Sequence, residues 1–168
     1  RAINSNYKEG RKPVRLNRNF GDLTEEDEKK NRYWQYARVV EYLNEMPIAQ
    51  IYIDFVEADD AISVLCRELP NVKKTIISND KDFIQLLDAN TFLYRPCKEE
   101  TYDVEKVINE FNIHPTNFAL ARAFVGDASD NLPGAKGVGL KTMAKRFPEL
   151  KEEKTILLTE IIDSCKNE

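Results

Sequence analysis

The sequence predicts an α/β fold, in which a mainly parallel sheet is flanked by helices and followed by an all-helical C-terminal third. Up to Tyr102, short β-prone runs alternate with segments of helical spacing, an order typical of β–α–β units. After Tyr102 only helical spacing recurs. The length of 168 residues fits one domain, or one domain with a small appendage. We therefore expect an α/β core with a helical region attached to it.

The elements of the core are predicted from periodicity and from residues that end helices. Apolar residues over 33–45 have helical spacing, and Pro47 is expected to end that helix. Further helices are expected near Ala58 and around Phe83. The predicted strands are 48–53, 74–77 and 91–95.

The C-terminal third is predicted to contain helices joined by loops. A Gly- and Pro-rich loop over 132–139 precedes one of these helices. The predicted helices are 104–111, 118–125, 140–147 and 154–165.

Composition excludes several classes of protein. The overall net charge of −4 does not by itself indicate DNA binding. The charges are unevenly distributed, however, because residues 1–18 carry six basic side chains and one acidic side chain. That stretch is too polar for a core element and is expected to be mobile or ordered by a partner. No apolar run approaches the roughly 20 residues of a membrane span. The three cysteines are far apart, which argues against a disulfide framework or zinc cluster and favours a reducing cytoplasm.

Three acidic clusters lie at the starts of predicted helices or in a loop between them. Their members are Glu57, Asp59 and Asp60, then Asp80 and Asp82, and then Asp127 and Asp130. For any single cluster, helix capping and the helix dipole are a sufficient explanation. Functional groups gather at the carboxyl ends of parallel strands, however, and the first two clusters each follow a predicted strand. We therefore expect these two clusters to meet in space.

Converging carboxylates indicate a cation site. Carboxylates a few ångströms apart repel one another unless cations lie among them. Oxygen ligands without His or Cys suit Mg²⁺ or Mn²⁺ rather than zinc. Two such ions about 4 Å apart can hold the attacking and leaving oxygens of a phosphoryl transfer. The clusters therefore suggest a metal-dependent phosphodiester site.

A glycine-rich turn over 134–142 indicates phosphate binding. Glycines let the backbone turn sharply and approach a ligand closely, and the amides that open the next helix can donate to a phosphate oxygen. Residues 131–148 contain four basic residues and no acidic residue. This combination is typical of the helix–hairpin–helix that binds the DNA backbone without reading its sequence. The alternative is a plain glycine-rich turn between two helices.

Five short sequence motifs occur in a fixed order along the chain, and together they are specific enough to indicate a protein family. They are Tyr-Lys-Glu-Gly-Arg at 7–11, Val-Glu-Ala-Asp-Asp at 56–60, Ser-Asn-Asp-Lys-Asp at 78–82, Gly-Asp-Ala-Ser-Asp-Asn-Leu-Pro-Gly at 126–134 and Gly-Val-Gly-Leu-Lys-Thr at 137–142. Over about 1–148 the sequence thereby resembles the 5′-nuclease superfamily of flap endonucleases and 5′–3′ exonucleases. This superfamily includes phage enzymes and the 5′-nuclease domain of bacterial DNA polymerase I.

The resemblance implies a role for each cluster. The first cluster would bind one metal ion. The second cluster would be shared between that ion and a second ion, and the third cluster would bind the second ion directly or through water. The implied cofactors are two or more Mg²⁺ ions, with Mn²⁺ as an alternative, and a K⁺ ion at the glycine-rich turn. Lys8 and Arg11 would be catalytic, with Lys8 contacting the scissile phosphate. The implied DNA-binding residues are Tyr7, Lys8, Arg11 and Lys12 in a helical arch, and Lys136, Gly137, Val138, Gly139, Lys141, Thr142 and Lys145 at the hairpin (helix–three-turn–helix).

The resemblance also divides the chain into regions. Residues 1–32 would form a basic, mobile arch, 33–102 a PIN-like nuclease core and 103–168 a helical DNA-binding region. The family has two further aspartates and N-terminal strands upstream of the arch, where this sequence begins. We therefore expect the metal site and the sheet of this piece to be incomplete, and its activity to depend on those aspartates.

The implied reaction is metal-activated hydrolysis of a phosphodiester near a 5′ end of flapped, nicked or branched DNA. It would serve removal of flaps or RNA primers in replication and repair. The expected partners are such DNA, an RNA primer–DNA hybrid, and replication proteins such as a polymerase or single-strand-binding protein, but no membrane. The expected location is the cytoplasm of a bacterial or phage-infected cell. Two alternatives stay open: a non-catalytic, structure-specific DNA-binding module, and a PIN-type ribonuclease.

Overall fold

A computed structural model describes residues 24–166, with the exception of the Ser129 side chain. The chain divides into two compact units, whose described parts are residues 24–56 and 57–166. None of the helices in the described part of the chain has the length and apolar character needed to cross a membrane.

The smaller unit contains helix α1 (Glu25–Asn44), which begins ahead of the start predicted from apolar spacing. The cause is the capping sequence: the Thr24 hydroxyl accepts a hydrogen bond from the Asp27 amide at 3.2 Å. Four acidic residues fill the first turn, where the helix dipole favours negative charge. The predicted boundary at residue 32 therefore falls inside a continuous helix, and the three-region division stays a prediction.

The strand predicted over 48–53 is wrong, because this segment is an irregular loop. Its β-prone side chains have no neighbouring strand among residues 24–166 with which to form a ladder. Tyr52 and Phe55 are fully exposed, and Phe55 has a φ of 64°, which turns the chain away from an extended course. β propensity describes how well a side chain fits a half-buried sheet surface, so without a partner strand it does not produce a strand.

The larger unit opens with helix α2, a small sheet and a 3₁₀ helix. Their bounds are α2 (Ala58–Glu68), β1 (Lys74–Ile77), a first 3₁₀ helix (Lys81–Leu86), β2 (Thr91–Arg95) and β3 (Glu100–Tyr102). The strand order is β1-β2-β3, with β1 and β2 parallel and β2 and β3 antiparallel.

The prediction of a mainly parallel sheet is therefore corrected to a small mixed sheet. Only residues 96–99 connect β2 to β3, and a parallel crossover needs a dozen or more residues. Glu99 closes this turn with a φ of 51°. The three-residue strand β3 is too short to give a detectable sequence pattern.

The C-terminal region is helical, as predicted. Its elements are α3 (Val104–Phe111), α4 (Pro115–Val125), a second 3₁₀ helix (Ala128–Asp130), α5 (Leu140–Arg146), a third 3₁₀ helix (Pro148–Lys151) and α6 (Leu158–Lys166). The Asp103 carboxylate caps α3 by accepting from the Lys106 amide at 2.8 Å. His114 Nδ1 caps α4 by accepting from the Thr116 amide at 3.3 Å. His114, the only histidine of the sequence, thus has a structural role at the start of α4.

One hydrophobic core joins the sheet to the C-terminal helices. Both regions contribute side chains with no exposed surface, so burial of this apolar area holds them together. These fully buried residues include Ile84, Leu93, Val107, Ile113, Ala121 and Leu150.

Asn117 of α4 is a fully buried polar residue that organises the segment before α6. Its side-chain nitrogen lies 3.0–3.3 Å from the carbonyl oxygens of Leu150, Glu152 and Lys154. Its side-chain oxygen accepts from the Ile156 amide at 2.9 Å. The carboxamide therefore supplies hydrogen bonds to a stretch of irregular backbone that would otherwise be buried without partners.

We expect Asn117→Ala to lower the free energy of unfolding by about 3 kcal/mol, because several buried backbone groups lose their partner at once. Urea unfolding followed by far-UV circular dichroism measures this change. The matched control is Asn109→Ala on the exposed side of α3, for which we expect a change within about 0.5 kcal/mol. Equal effects of the two substitutions would contradict the role assigned to Asn117.

Candidate functional site

The second acidic cluster lies between β1 and the first 3₁₀ helix. Asp80 precedes that helix, and its Oδ1 accepts from the Asp82 amide at 2.9 Å. The Asp80 amide in turn donates to the Ser78 hydroxyl at 3.1 Å. Capping therefore accounts for the position of Asp80 and also fixes the orientation of its carboxylate relative to Asp82.

The first and second clusters meet at one cavity, as the sequence predicted. Asp59, Asp60, Asp80 and Asp82 all line this cavity of about 180 Å³. The first cluster reaches it from the start of α2 and not from a strand end, since no strand forms over 48–53. Glu57 occupies the N-cap position of α2 and is not one of the lining residues.

The third cluster is carried by a tightly closed loop after α4. Asp127 and Leu132 exchange backbone hydrogen bonds of 2.8 Å in both directions. Gly126 has a φ of 74° and lies against the backbone of Gly134. A Cβ at Gly134 would lie 1.9 Å from the Val125 carbonyl oxygen, so only glycine permits this approach. The close packing sets where the loop presents its carboxylates.

Asp82 connects the second and third clusters. It lines a larger neighbouring cavity of about 420 Å³, together with Asp127 and Asp130. Arg122 of α4 lies in the same cavity, with Nε 3.2 Å from Asp82 Oδ1 and Nη2 2.8 Å from Asp127 Oδ2. The structure thus brings six of the seven predicted acidic residues to two adjoining cavities that share Asp82.

The electrostatics of Asp82 reflect this crowding. Partial burial raises the pKa of the Asp82 carboxyl, and the charges of Asp80 and Asp127 act in the same direction. The Arg122 guanidinium opposes them without cancelling the rise in pKa. The ionised form of Asp82 is therefore energetically unfavourable in this site, and a bound cation would stabilise it.

The donor set fits a hard divalent cation in its chemistry. The residues that converge supply carboxylate oxygens, the ligand type that Mg²⁺ and Mn²⁺ prefer. Within residues 24–166, however, no three His, Cys, Asp or Glu side chains are close enough together to enclose an ion. The described carboxylates therefore form an open set, which would need side-chain closure or further ligands to complete a coordination shell.

The glycine-rich turn presents a basic surface. Gly137 has a φ of 77°, and the turn places Lys136 and Gly137 in solvent ahead of α5. Val138 packs partly against the core. The remaining hairpin residues are the N-cap residue Gly139 and the exposed side chains of Lys141, Thr142 and Lys145. The assignment of this surface to DNA stays a prediction, and so do the arch residues Tyr7, Lys8, Arg11 and Lys12, which lie outside the described residues.

Sequence reasoning missed Arg122. The residue is separated by 40 positions from Asp82, so no local pattern indicates the pair. The available signal was a single basic residue in an otherwise apolar helical segment, Phe-Ala-Leu-Ala-Arg-Ala-Phe-Val at 118–125. A charge in such a position is costly to bury unless it is paired.

The mixed sheet, its covering helices and the converging carboxylates together define an α/β protein with a candidate acidic metal site. The chain belongs to the family described as 5′-3′ exonuclease, N-terminal resolvase-like domain, whose model matches residues 1–112. The family match therefore includes the first and second acidic clusters.

Named relatives are consistent with this family. A 5′-3′ exonuclease of Buchnera aphidicola is 32% identical over 146 residues, which are 80% of this chain and 51% of the relative. A DNA polymerase I of Rhizobium leguminosarum is 31% identical over 125 residues, which are 73% of this chain and 12% of the relative. The chain thus spans about half the length of the first relative and a small part of the polymerase.

A solved structure shows the same fold. The D15 flap endonuclease of bacteriophage T5, in complex with DNA and metal ions, matches with a TM-score of 0.67 and 22% identity. The match covers 84% of this chain and 52% of the phage protein. At this level of identity the likeness supports the fold.

We expect Gly134→Ala to displace the loop that carries Asp127 and Asp130, because the added methyl group would overlap the Val125 carbonyl. The expected loss in the free energy of unfolding is about 2 kcal/mol or more. Gly139→Ala is the control, since a Cβ there meets nothing within 4 Å and the φ of −118° is ordinary. Thermal unfolding of both variants measures the difference, and a Gly134 variant as stable as the Gly139 variant would contradict the close packing.

Proposed function

We propose that the chain is part of a metal-dependent 5′ nuclease that hydrolyses phosphodiesters near 5′ ends of DNA. The observation that supports this most is the convergence of Asp59, Asp60, Asp80 and Asp82 on one cavity in a member of the 5′-3′ exonuclease family. Neither capping nor surface solvation requires carboxylates from separate elements to line one cavity. A cation-dependent reaction does require it.

The seven predicted acidic residues would hold the cations in this proposal. Asp59, Asp60 and Asp80 would serve the smaller cavity, Asp82 would be shared, and Asp127 and Asp130 would serve the larger cavity. Glu57 would complete the first cluster through closure of its side chain. Two or more Mg²⁺ or Mn²⁺ ions would supply Lewis-acid activation of water and of the leaving oxygen. Lys8 and Arg11 would stabilise charge on the scissile phosphate.

The DNA duplex would bind at the hairpin. The proposal is supported by exposed Lys136 and left-handed Gly137 between α4 and α5, and by exposed Lys141 and Lys145 on α5. We propose that Lys136, Lys141 and Lys145 contact backbone phosphates and that a K⁺ ion binds at the turn. The proposed substrates are flapped, nicked or branched DNA and RNA primer–DNA hybrids, in replication and repair alongside a polymerase or single-strand-binding protein. The phage flap endonuclease that was solved with DNA and metal ions supports DNA as the substrate.

We also propose that further strands of the intact protein extend the sheet beside β1. On this side β1 has no neighbour among the described strands, and Ile77 is 70% exposed. An apolar groove of about 290 Å³ runs between α2 and β1, with Ile62, Leu65 and Ile76 among its lining residues. A strand added here would bury this groove and satisfy the open edge of β1.

We expect Asp80→Asn and Asp127→Asn each to reduce Mg²⁺-dependent cleavage of a 5′-flap substrate by about a hundredfold or more, because each removes charge from the proposed metal site. The assay uses the intact protein and a 5′-labelled flap, with product size resolved on a gel. Asp163→Asn, an exposed carboxylate of α6, makes the same chemical change elsewhere and should leave the rate unchanged. Native cleavage rates in both site variants would refute the metal assignment, and binding of the flap by the native protein without cleavage would favour a DNA-binding module.

We expect Lys141→Ala to weaken binding of branched DNA and to lower the slope of log K against log salt by about one, as removal of one phosphate contact predicts. Fluorescence anisotropy at several salt concentrations measures both quantities. Lys166→Ala at the end of α6 removes another exposed positive charge and should change neither. A native salt slope in the Lys141 variant would count against the hairpin surface.

A further inference from the structure

The side chain of Arg122 occupies the junction between the two acidic cavities. Its Nε is 3.2 Å from Asp82 Oδ1, its Nη2 is 2.8 Å from Asp127 Oδ2, and its Nη1 is 3.5 Å from the Gly126 carbonyl oxygen. The side chain is 30% exposed, and those of Asp82 and Asp127 are 50% and 24% exposed. The guanidinium is therefore partly withdrawn from water and faces two carboxylates from different elements.

The position near the end of α4 gives Arg122 a simpler explanation, which the distances do not favour. A basic residue in the last turn interacts well with the helix dipole, and the contact to Gly126 is of that kind. That contact is the longest of the three, whereas the two shorter contacts are made to carboxylates. The charge of Arg122 is thus directed mainly at Asp82 and Asp127.

We propose that Arg122 is a positioning residue that acts as the resident counter-cation of the acidic site. It holds Asp82 and Asp127 together before a divalent cation arrives, and it competes with that cation for the same oxygens. The inference rests on the metal site proposed above. The new element of the inference is that a metal ion can bind in the larger cavity, between Asp82 and Asp127, only if the guanidinium moves.

Charge balance gives the direction of the effect. The negative charges of Asp80 and Asp127 both act against negative charge on Asp82, and the fixed positive charge of Arg122 offsets part of that repulsion. A guanidinium remains protonated throughout the accessible pH range, so loss of a proton cannot release the carboxylates from Arg122. A divalent cation that ligates these oxygens therefore gains less in the native protein than it would if Arg122 were neutral.

The test measures binding of Mn²⁺ alone, with no substrate present, by electron paramagnetic resonance of the free ion. Arg122→Gln should tighten Mn²⁺ binding by about tenfold or more, the effect of one unit charge a few ångströms away in a partly buried site. The metal-free variant should also melt at a lower temperature than the native protein, and Mn²⁺ should raise its melting temperature by a larger amount. Arg122→Lys keeps the charge and should stay within about threefold of native affinity.

Arg67→Gln on α2 is the matched control, because it removes the same charge from a side chain that is 74% exposed and paired with Glu68. Its Mn²⁺ affinity should remain native. Unchanged or weaker Mn²⁺ binding by Arg122→Gln would overturn the inference, since Arg122 would then serve the site only as a scaffold. A variant that is unfolded without metal but folds when Mn²⁺ is added supports the inference, and one that stays unfolded at saturating Mn²⁺ overturns it.

The same titration separates this inference from the proposed metal site. If the native protein takes up Mn²⁺, Asp80→Asn loses it and Arg122→Gln is unchanged, only the inference about Arg122 fails. If the native protein takes up no Mn²⁺ at all, the metal site and the inference fail together.

Discussion

Packing of helix α4 against the first 3₁₀ helix is the interaction on which the candidate site depends. Phe118 and Ala121 bury one face of α4 in the core, which fixes the helix beside the segment that begins at Asp80. The rest of α4 is used for polar contacts. Asn117 forms hydrogen bonds with the backbone that leads to α6, and Arg122 contacts the Asp82 carboxylate. One buried helix therefore couples the integrity of the C-terminal region to the geometry of the acidic cavities.

The acidic site is assembled from capping positions. Asp80 is the N-cap of a short helix, and Asp59 lies in the first turn of another. Such positions suit carboxylates for local reasons, so the same residues serve helix termini and a shared cavity. The sequence alone cannot separate these two roles, because each cluster is explained by its own helix. What distinguishes them is the convergence of separate elements, which depends on how α2 and the 3₁₀ helix pack.

Elements with strong local signals were predicted well, and those that depend on a partner were not. Strand β1 was predicted with its observed bounds, and α2 was predicted near its observed start. The segment 48–53 is also rich in β-prone residues but has no partner strand among residues 24–166, and it is a loop. Strand β3 was missed because a tight turn and a neighbouring strand define it, and Arg122 was missed because its partners are distant in sequence. The convergence of the clusters was predicted correctly, although the reason given for the first cluster was wrong.

The open edge of β1 has a practical consequence for handling the chain in isolation. Among the described residues, no strand pairs with the outer side of β1, which also displays Ile77, and such an edge is a template for pairing with another copy of the same strand. Self-association of this kind would grow with protein concentration and would bury the apolar groove between β1 and α2. We therefore expect the solubility of this chain in isolation to depend on the edge of its sheet as well as on its net charge of −4.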